Sequence, residues 1–358
     1  MGGLDVKRGD ELPEDLYNSY LADESLVPTI EGKTVAITGT TSGLGVAIAR
    51  AAISKKADLV LLLNRKSERA SKAEEGLQKY KVEGSKTVIK TIDCDLMSFD
   101  SVKEAASVVN EEVKAYGGLD VLCNNAGIMA FDDDRTKDGF DVQMQTNQLS
   151  HFLLGSLVFP SIKNAAGKRG EARLVTHSSS ARDFPKTLLG KYMEKSEPNT
   201  LGGNGAWMLS QAFLGKEGPW TRYGQTKLAN SCFAMALAGK VGDSNVKSIC
   251  AEPGYAVTAL QNTKHMSVSE RMDSMFPKQS AADGSLPAVM ACFSPSAENG
   301  DFYAPEKTMT GRPKKVVAKG ERQKTGFIGG TDKNTCDPKQ QDLVWEACKK
   351  ATGFDFDL

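Results

Sequence analysis

Net charge is absent from this sequence: 45 lysines and arginines balance 45 aspartates and glutamates over 358 residues. That balance excludes the broad basic footprint of a nucleic-acid or anionic-membrane binder, so recognition is expected to be local, with no nucleic-acid partner. Cysteine is sparse. The seven residues (Cys94, Cys123, Cys232, Cys250, Cys292, Cys336, Cys348) form no CxxC pair and sit in apolar or helical stretches. Reduced, packed thiols are expected in place of a disulfide or zinc framework. Histidine is rarer still: His151, His177 and His265 lack metal-ligand spacing, and no metal is expected. No apolar run approaches the roughly 20 residues that span a bilayer. The polar, acidic stretch from Met1 to Ile30 has no apolar region of the secretory type. Val6 stands where a myristoylation motif after Gly2 requires Ser or Thr. A soluble, cytoplasmic protein is the expectation. What remains, 40% hydrophobic and 25% charged residues, suits a chain with a sizeable core.

From Lys33 onward the chain alternates. Thr34–Thr38, Ala57–Leu63, Thr87–Ile92, Leu119–Cys123, Arg173–His177 and Val246–Ala251 read as short β-rich runs. Ala57–Leu63 is apolar throughout, the pattern of a strand buried on both faces. Helical stretches follow these runs: Val46–Ile53, Glu68–Tyr80, Ser98–Ala115, Asn147–Phe159 and Tyr223–Ala238. Such alternation predicts an α/β fold, one doubly wound parallel sheet with helices on both faces. The expected organisation is a polar extension over 1–31, an α/β domain over 32–310 with an insert about 183–221, and a tail over 311–358. Leu343, Val344, Ala347 and Cys348 give that tail a final amphipathic helix, Lys339–Ala351.

The first strand runs into Thr38-Gly39-Thr40-Thr41-Ser42-Gly43-Leu44-Gly45 and then a helix. Glycines let the backbone approach a pyrophosphate, and the free N–H groups of a helix start favour an anion. Gly39, Thr41, Ser42, Gly43, Leu44 and Gly45 are therefore candidate dinucleotide ligands of a Rossmann-type fold. A carboxylate at the end of the second strand would bind an adenosine 2′-hydroxyl. Here Asn64-Arg65-Lys66 supplies two cations and no carboxylate. A 2′-phosphate suits Arg65 as a fork donor and Lys66 as a point charge, so NADP(H) is expected over NAD(H). The competing reading is two surface charges after a strand.

Tyr223 and Lys227 lie four residues apart, hence on one helix face. An ammonium so placed stabilises a tyrosinate and lowers a phenol pKa that is ordinarily about 10. The motif alone is uninformative; its companions are not. With TGxxxGxG at Thr38–Gly45, Asp95-Leu96, Asn124-Asn125-Ala126-Gly127, Asn147, Ser178-Ser179 and Pro253-Gly254 with Thr258, all in order, the chain resembles the short-chain dehydrogenase/reductase family over about 32–305. The resemblance implies Tyr223 as general acid/base, with Lys227 depressing its pKa and holding the nicotinamide ribose. It implies Ser179 hydrogen-bonded to the substrate oxygen, with Ser178 or Ser180 as alternatives, and Asn147 holding a relay water. Asp95 with Leu96 would meet adenine, and Asn125, Ala126 and Gly127 would line the cofactor channel. Pro253, Gly254 and Thr258 would sit near the nicotinamide.

Forty-three residues separate Ser179 from Tyr223, a longer connection than in many members of that family. The length resembles the carbonyl reductase and protochlorophyllide reductase branches. Ser150-His151-Phe152-Leu153-Leu154 and Gly300-Asp301-Phe302-Tyr303 add a likeness to retinol dehydrogenases. Phe184, Leu188, Trp207, Met208, Phe213 and Trp220, with Met272, Met275 and Phe276, either line an apolar pocket or pack the insert onto the domain. Three readings follow. The first is carbonyl/alcohol interconversion on an apolar small molecule. The second is light-dependent double-bond reduction of the protochlorophyllide reductase kind. The third is a non-catalytic NADP(H) sensor or scaffold, against which the intact Asn147, Ser179, Tyr223 and Lys227 set argues. A monomer or a homodimer is expected.

Overall fold

The computed structural model describes residues 12–205, 210–211, 215–242, 244–258, 260, 277–318, 321–322 and 334–358. The strands are β1 (Thr34–Thr38), β2 (Leu59–Asn64), β3 (Val88–Asp93), β4 (Val121–Asn124), β5 (Ala172–His177), β6 (Val246–Ala251), β7 (Phe302–Pro305), β8 (Pro313–Ala318) and β9 (Glu321–Arg322). They form one sheet in the order β3-β2-β1-β4-β5-β6-β7-β8-β9. The first seven run parallel, and β8 and β9 add antiparallel at one edge. The order reverses between β1 and β4, which opens a crevice at their carboxyl ends. β1 and β2 are buried at every position, as a strand covered on both faces must be. This is the expected doubly wound sheet.

Helices α1 (Tyr17–Ala22), α2 (Gly43–Ser54) and α7 (Ala281–Phe293) share one apolar core on one side of the sheet. The other core gathers α4 (Phe99–Lys114), α5 (Ser150–Arg169), α6 (Pro219–Val241) and α8 (Pro338–Thr352). The short α3 (Glu68–Leu77) begins where the Ser67 hydroxyl accepts the Ala70 N–H. In α4 the Ser98 hydroxyl caps Ser101, and Phe99, Val102, Ala106, Val109 and Val113 keep the helical spacing of the buried face.

Three elements depart from the sequence expectation. α5 continues through Pro160 to Arg169, because burial between α4 and β5 outweighs the one backbone bond that proline removes. It is preceded by a π turn over Gln145–Leu149. α6 begins at Pro219, so Tyr223 falls in its second turn, after a break at Gly218 with φ 159°. α7 was not anticipated and is buried on nearly all sides.

Residues 15–22 and 338–356 pack onto this body. Asp283 of α7 accepts the backbone N–H groups of Asp15, Leu16 and Tyr17, and the Tyr17 hydroxyl donates to Ala47 O of α2 at 2.5 Å. The Arg50 guanidinium lies between the Tyr17 and Tyr80 rings. At the other end Trp345 and Phe356 close an aromatic cluster with Phe152 and Phe233.

Candidate active site

The glycine turn is held from below. Gly39 (φ 74°) and Gly43 (φ 61°) take left-handed backbone that glycine alone adopts without strain. Gly45 is required for another reason: a Cβ there would lie 2.1 Å from Gly39 O and 2.7 Å from Asn125 Nδ2. Asn64 fixes the turn, its Oδ1 accepting the Thr40 N–H and its Nδ2 donating to Thr40 Oγ1, both at 2.8 Å. Asn125 does the same from β4, donating to Thr38 O at 2.9 Å. Ser42 precedes α2 without capping it, which leaves the first N–H groups of that helix to an anion.

A cavity of about 410 Å³ opens at this turn. Of the expected cofactor residues, Gly39, Thr41, Ser42, Gly43, Leu44, Gly45, Asn64, Arg65, Asp95, Leu96, Asn125, Ala126, Gly127 and Thr258 line it. Lys66 does not; its backbone N–H donates to Asp93 Oδ1 instead. The second cation at the cavity is Arg69, in the first turn of α3, donating to Ser42 Oγ at 2.5 Å. Pro253, Gly254, Tyr223 and Lys227 do not line the cavity either; Pro253 O accepts from Gln279 Nε2, and a Cβ on Gly254 would lie 2.4 Å from Met309 O.

The candidate reactive groups lie just after β5 and within the first turns of α6. Tyr223 is 4% exposed and its hydroxyl faces the Ser179 side chain. Burial pushes the phenol up to about 12, while the Ser179 hydrogen bond pulls it down. The expected lowering by Lys227 is not the prevailing effect here. Lys227 Nζ donates to His177 O at 3.0 Å and lies 5.8 Å from the Tyr223 ring centre. Burial brings Lys227 itself down to about 8.

Asn147 sits in the π turn, with its side chain accepting from the Ile128 N–H and donating to Ile128 O and Thr226 Oγ1. Its carbonyl accepts from Asn230 Nδ2 at 2.7 Å and meets His151 Nδ1 at 3.0 Å. Thr38 Oγ1 accepts from the Asn125 and Ala126 N–H groups, so its own hydrogen goes to His151 Nε2 at 2.9 Å. His151 Nδ1–H therefore donates to Asn147 O, and burial holds this imidazole neutral with a pKa of about 4. Glycine turn and π turn are thus joined by one chain of hydrogen bonds.

Two buried ionic groups flank the site, and the sequence reading had neither. Arg222 is fully buried with Asp133 and Asp141 at 3.6 and 3.3 Å. It donates to Gly203 O and Phe131 O, while Asp133 accepts from the Leu201 and Gly203 N–H groups. This cluster ties the insert to the start of α6. On the opposite side Arg182 pairs with Glu252, both buried. Within the insert, Leu188 and Trp220 are buried and Phe184 packs beside Tyr223. Trp207, Met208, Phe213, Met272, Met275 and Phe276 lie outside the described residues.

A parallel sheet wound on both faces, with a glycine turn at the switch point, defines a Rossmann-type α/β protein. The family model for short chain dehydrogenases matches residues 33–193. A short-chain dehydrogenase/reductase of Armillaria gallica is 34% identical over 284 residues, 78% of this chain and 83% of its own. An uncharacterised oxidoreductase of Schizosaccharomyces pombe is 31% identical over 238 residues, 65% of this chain and 63% of its own. Among solved structures, an uncharacterised protein from Mycobacterium paratuberculosis has a TM-score of 0.65 at 24% identity, covering 94% of this chain and 98% of that one. The chain belongs to the short-chain dehydrogenase/reductase family. No helix among the described residues is long and apolar enough to cross a membrane, and they contain no metal-binding cluster of His, Cys, Asp or Glu.

Proposed function

We propose that this chain is an NADP(H)-dependent oxidoreductase that interconverts a carbonyl and an alcohol on an apolar small molecule. The observation that carries the reading is the buried Tyr223 phenol facing Ser179, one helical turn from a buried Lys227. The glycine cradle, which a Cβ at Gly45 would fill, fits a pyrophosphate. Arg65 and Arg69 fit a 2′-phosphate, with Ser42 as a third donor.

When bound, NADPH supplies the hydride that reaches the carbonyl carbon. As the carbon–oxygen π pair moves onto oxygen, Tyr223 gives that oxygen its phenolic proton, and Ser179 holds the same oxygen by a hydrogen bond. Burial keeps Tyr223 protonated at neutral pH, the form an acid requires. Lys227, still largely cationic near pH 7, offsets the phenolate left behind. Phe184 and Trp220, beside Tyr223, present an apolar wall to the substrate.

The test is NADPH oxidation over a panel of apolar aldehydes and ketones, with NADH in parallel. Turnover with a preference for NADPH is expected. Tyr223→Phe retains NADPH binding and loses most turnover; a variant as active as the parent removes Tyr223 from the chemistry.

A further inference from the structure

His177, the last residue of β5, touches both the glycine turn's support and the ammonium. Its backbone carbonyl accepts from Lys227 Nζ at 3.0 Å, and its ring nitrogen Nδ1 meets Asn125 Oδ1 at 3.1 Å. Asn125 lines the cofactor cavity. Its Nδ2 donates to Thr38 O at 2.9 Å and to Gly39 O at 3.3 Å, inside the turn itself. The start of α2 presses on the same amide, since a Cβ at Gly45 would lie 2.7 Å from that Nδ2.

The two carbonyls fix which way the Asn125 amide faces, because turning it over would set Oδ1 against two acceptors. Oδ1 therefore faces His177 and needs a donor, so Nδ1 carries the ring hydrogen. Among the described residues no other donor reaches that oxygen. Nε2 is then the bare nitrogen, buried and without a hydrogen-bond partner among the described residues. The ring is neutral: burial first, and then the charge on Lys227, bring its pKa to about 3.

We propose that His177 is a positioning residue for the cofactor: its Nδ1–H holds the Asn125 amide in the orientation that supports the glycine turn, while its carbonyl holds Lys227. Cradle and ammonium are thereby set by one residue, and the nucleotide seats in fixed register with Lys227. A role in packing alone differs in what it tolerates. Leucine fills the buried volume and donates nothing. Asparagine fills less of it but brings an amide N–H close to the place of Nδ1–H.

NADPH binding, followed by nucleotide fluorescence, separates the two. His177→Leu is expected to bind NADPH about tenfold more weakly, because a buried Oδ1 loses its donor, and His177→Asn to recover most of that loss. His177→Leu binding as tightly as the parent, or His177→Asn binding no better than His177→Leu, overturns the proposal. The unmodified protein supplies a second measurement that needs no variant to fold. Long-range proton–nitrogen NMR distinguishes the neutral forms of the ring, and the chain has only three histidines. His177, assigned through its own backbone resonances, is expected as the Nδ1–H form near pH 7. A ring carrying hydrogen on Nε2 overturns the proposal. Both readouts are independent of the chemistry proposed for Tyr223, whose failure appears separately as turnover by Tyr223→Phe in the NADPH assay.

Discussion

Lys227 is held in the folded chain against its own solvation, and replacing it exposes that cost. Its pKa of about 8, against an ordinary 10.5, has burial as the leading cause. The gap corresponds to about 3 kcal/mol against the charged form at neutral pH. Lys227→Met keeps the length of the stem and removes the charge, but it gives up the hydrogen bond to His177 O, about 1–2 kcal/mol with the carbonyl left unpaired. The variant is therefore expected to be about 1–2 kcal/mol more stable than the parent near pH 7. The sign reverses with pH. Below about 8 both states of the parent carry the proton and the full cost is present. Between about 8 and 10.5 the unfolded chain keeps a proton that the folded chain has released, so the stability of the parent rises with pH. By about pH 11 the parent is expected to be the more stable protein. Urea unfolding of both proteins at a series of pH values measures the difference, and other titrating groups cancel in it. A difference that stays constant from about pH 7 to 11 refutes the reasoning.

Three further outcomes are expected. Gly45→Ala places a methyl group 2.1 Å from Gly39 O and is expected to abolish NADPH binding, measured by nucleotide fluorescence. Arg69→Ala is expected to weaken NADPH binding about tenfold or more with little effect on NADH, and an equal loss for both would remove Arg69 from the 2′-phosphate site. Arg222→Leu leaves Asp133 and Asp141 with Arg135 as their remaining cation, at 2.8 and 3.9 Å, an expected loss of about 3 kcal/mol in urea unfolding.

The sheet was legible because buried parallel strands leave continuous apolar runs, as in Leu59–Leu63, and because the turn after Thr38 is dense in glycine. α7 was not, since Ala281–Phe293 is apolar on nearly every side and contains Gly284 and Pro287, so it shows no polar face and no period. α1 was hidden for a different reason: a six-residue helix is fixed by contacts with Asp283 and Ala47, far away in sequence. In the candidate site, the glycine turn and the Tyr223–Lys227 pair were legible from spacing, whereas Ser179 came only from the family resemblance. Arg182 and Glu252 were not legible, because a charged residue in sequence reads as solvated and these two lie 70 positions apart. Lys66 was assigned by its proximity to Arg65, whereas the chain turns there and presents Arg69 to the cavity.

The clasp at Asp283 places residues 15–22 against α7 and against α2, the helix that follows the phosphate turn. Tyr17 is bolted to α2 through Ala47, and Gly284 of α7 sits where a Cβ would meet Leu44 and Pro253 O. Residues 15–22 touch no part of the cavity, yet they brace the ground on which the glycine turn stands. A loosened strap would reach the nucleotide as a slackened cradle, and a seated nucleotide would in turn tighten the strap.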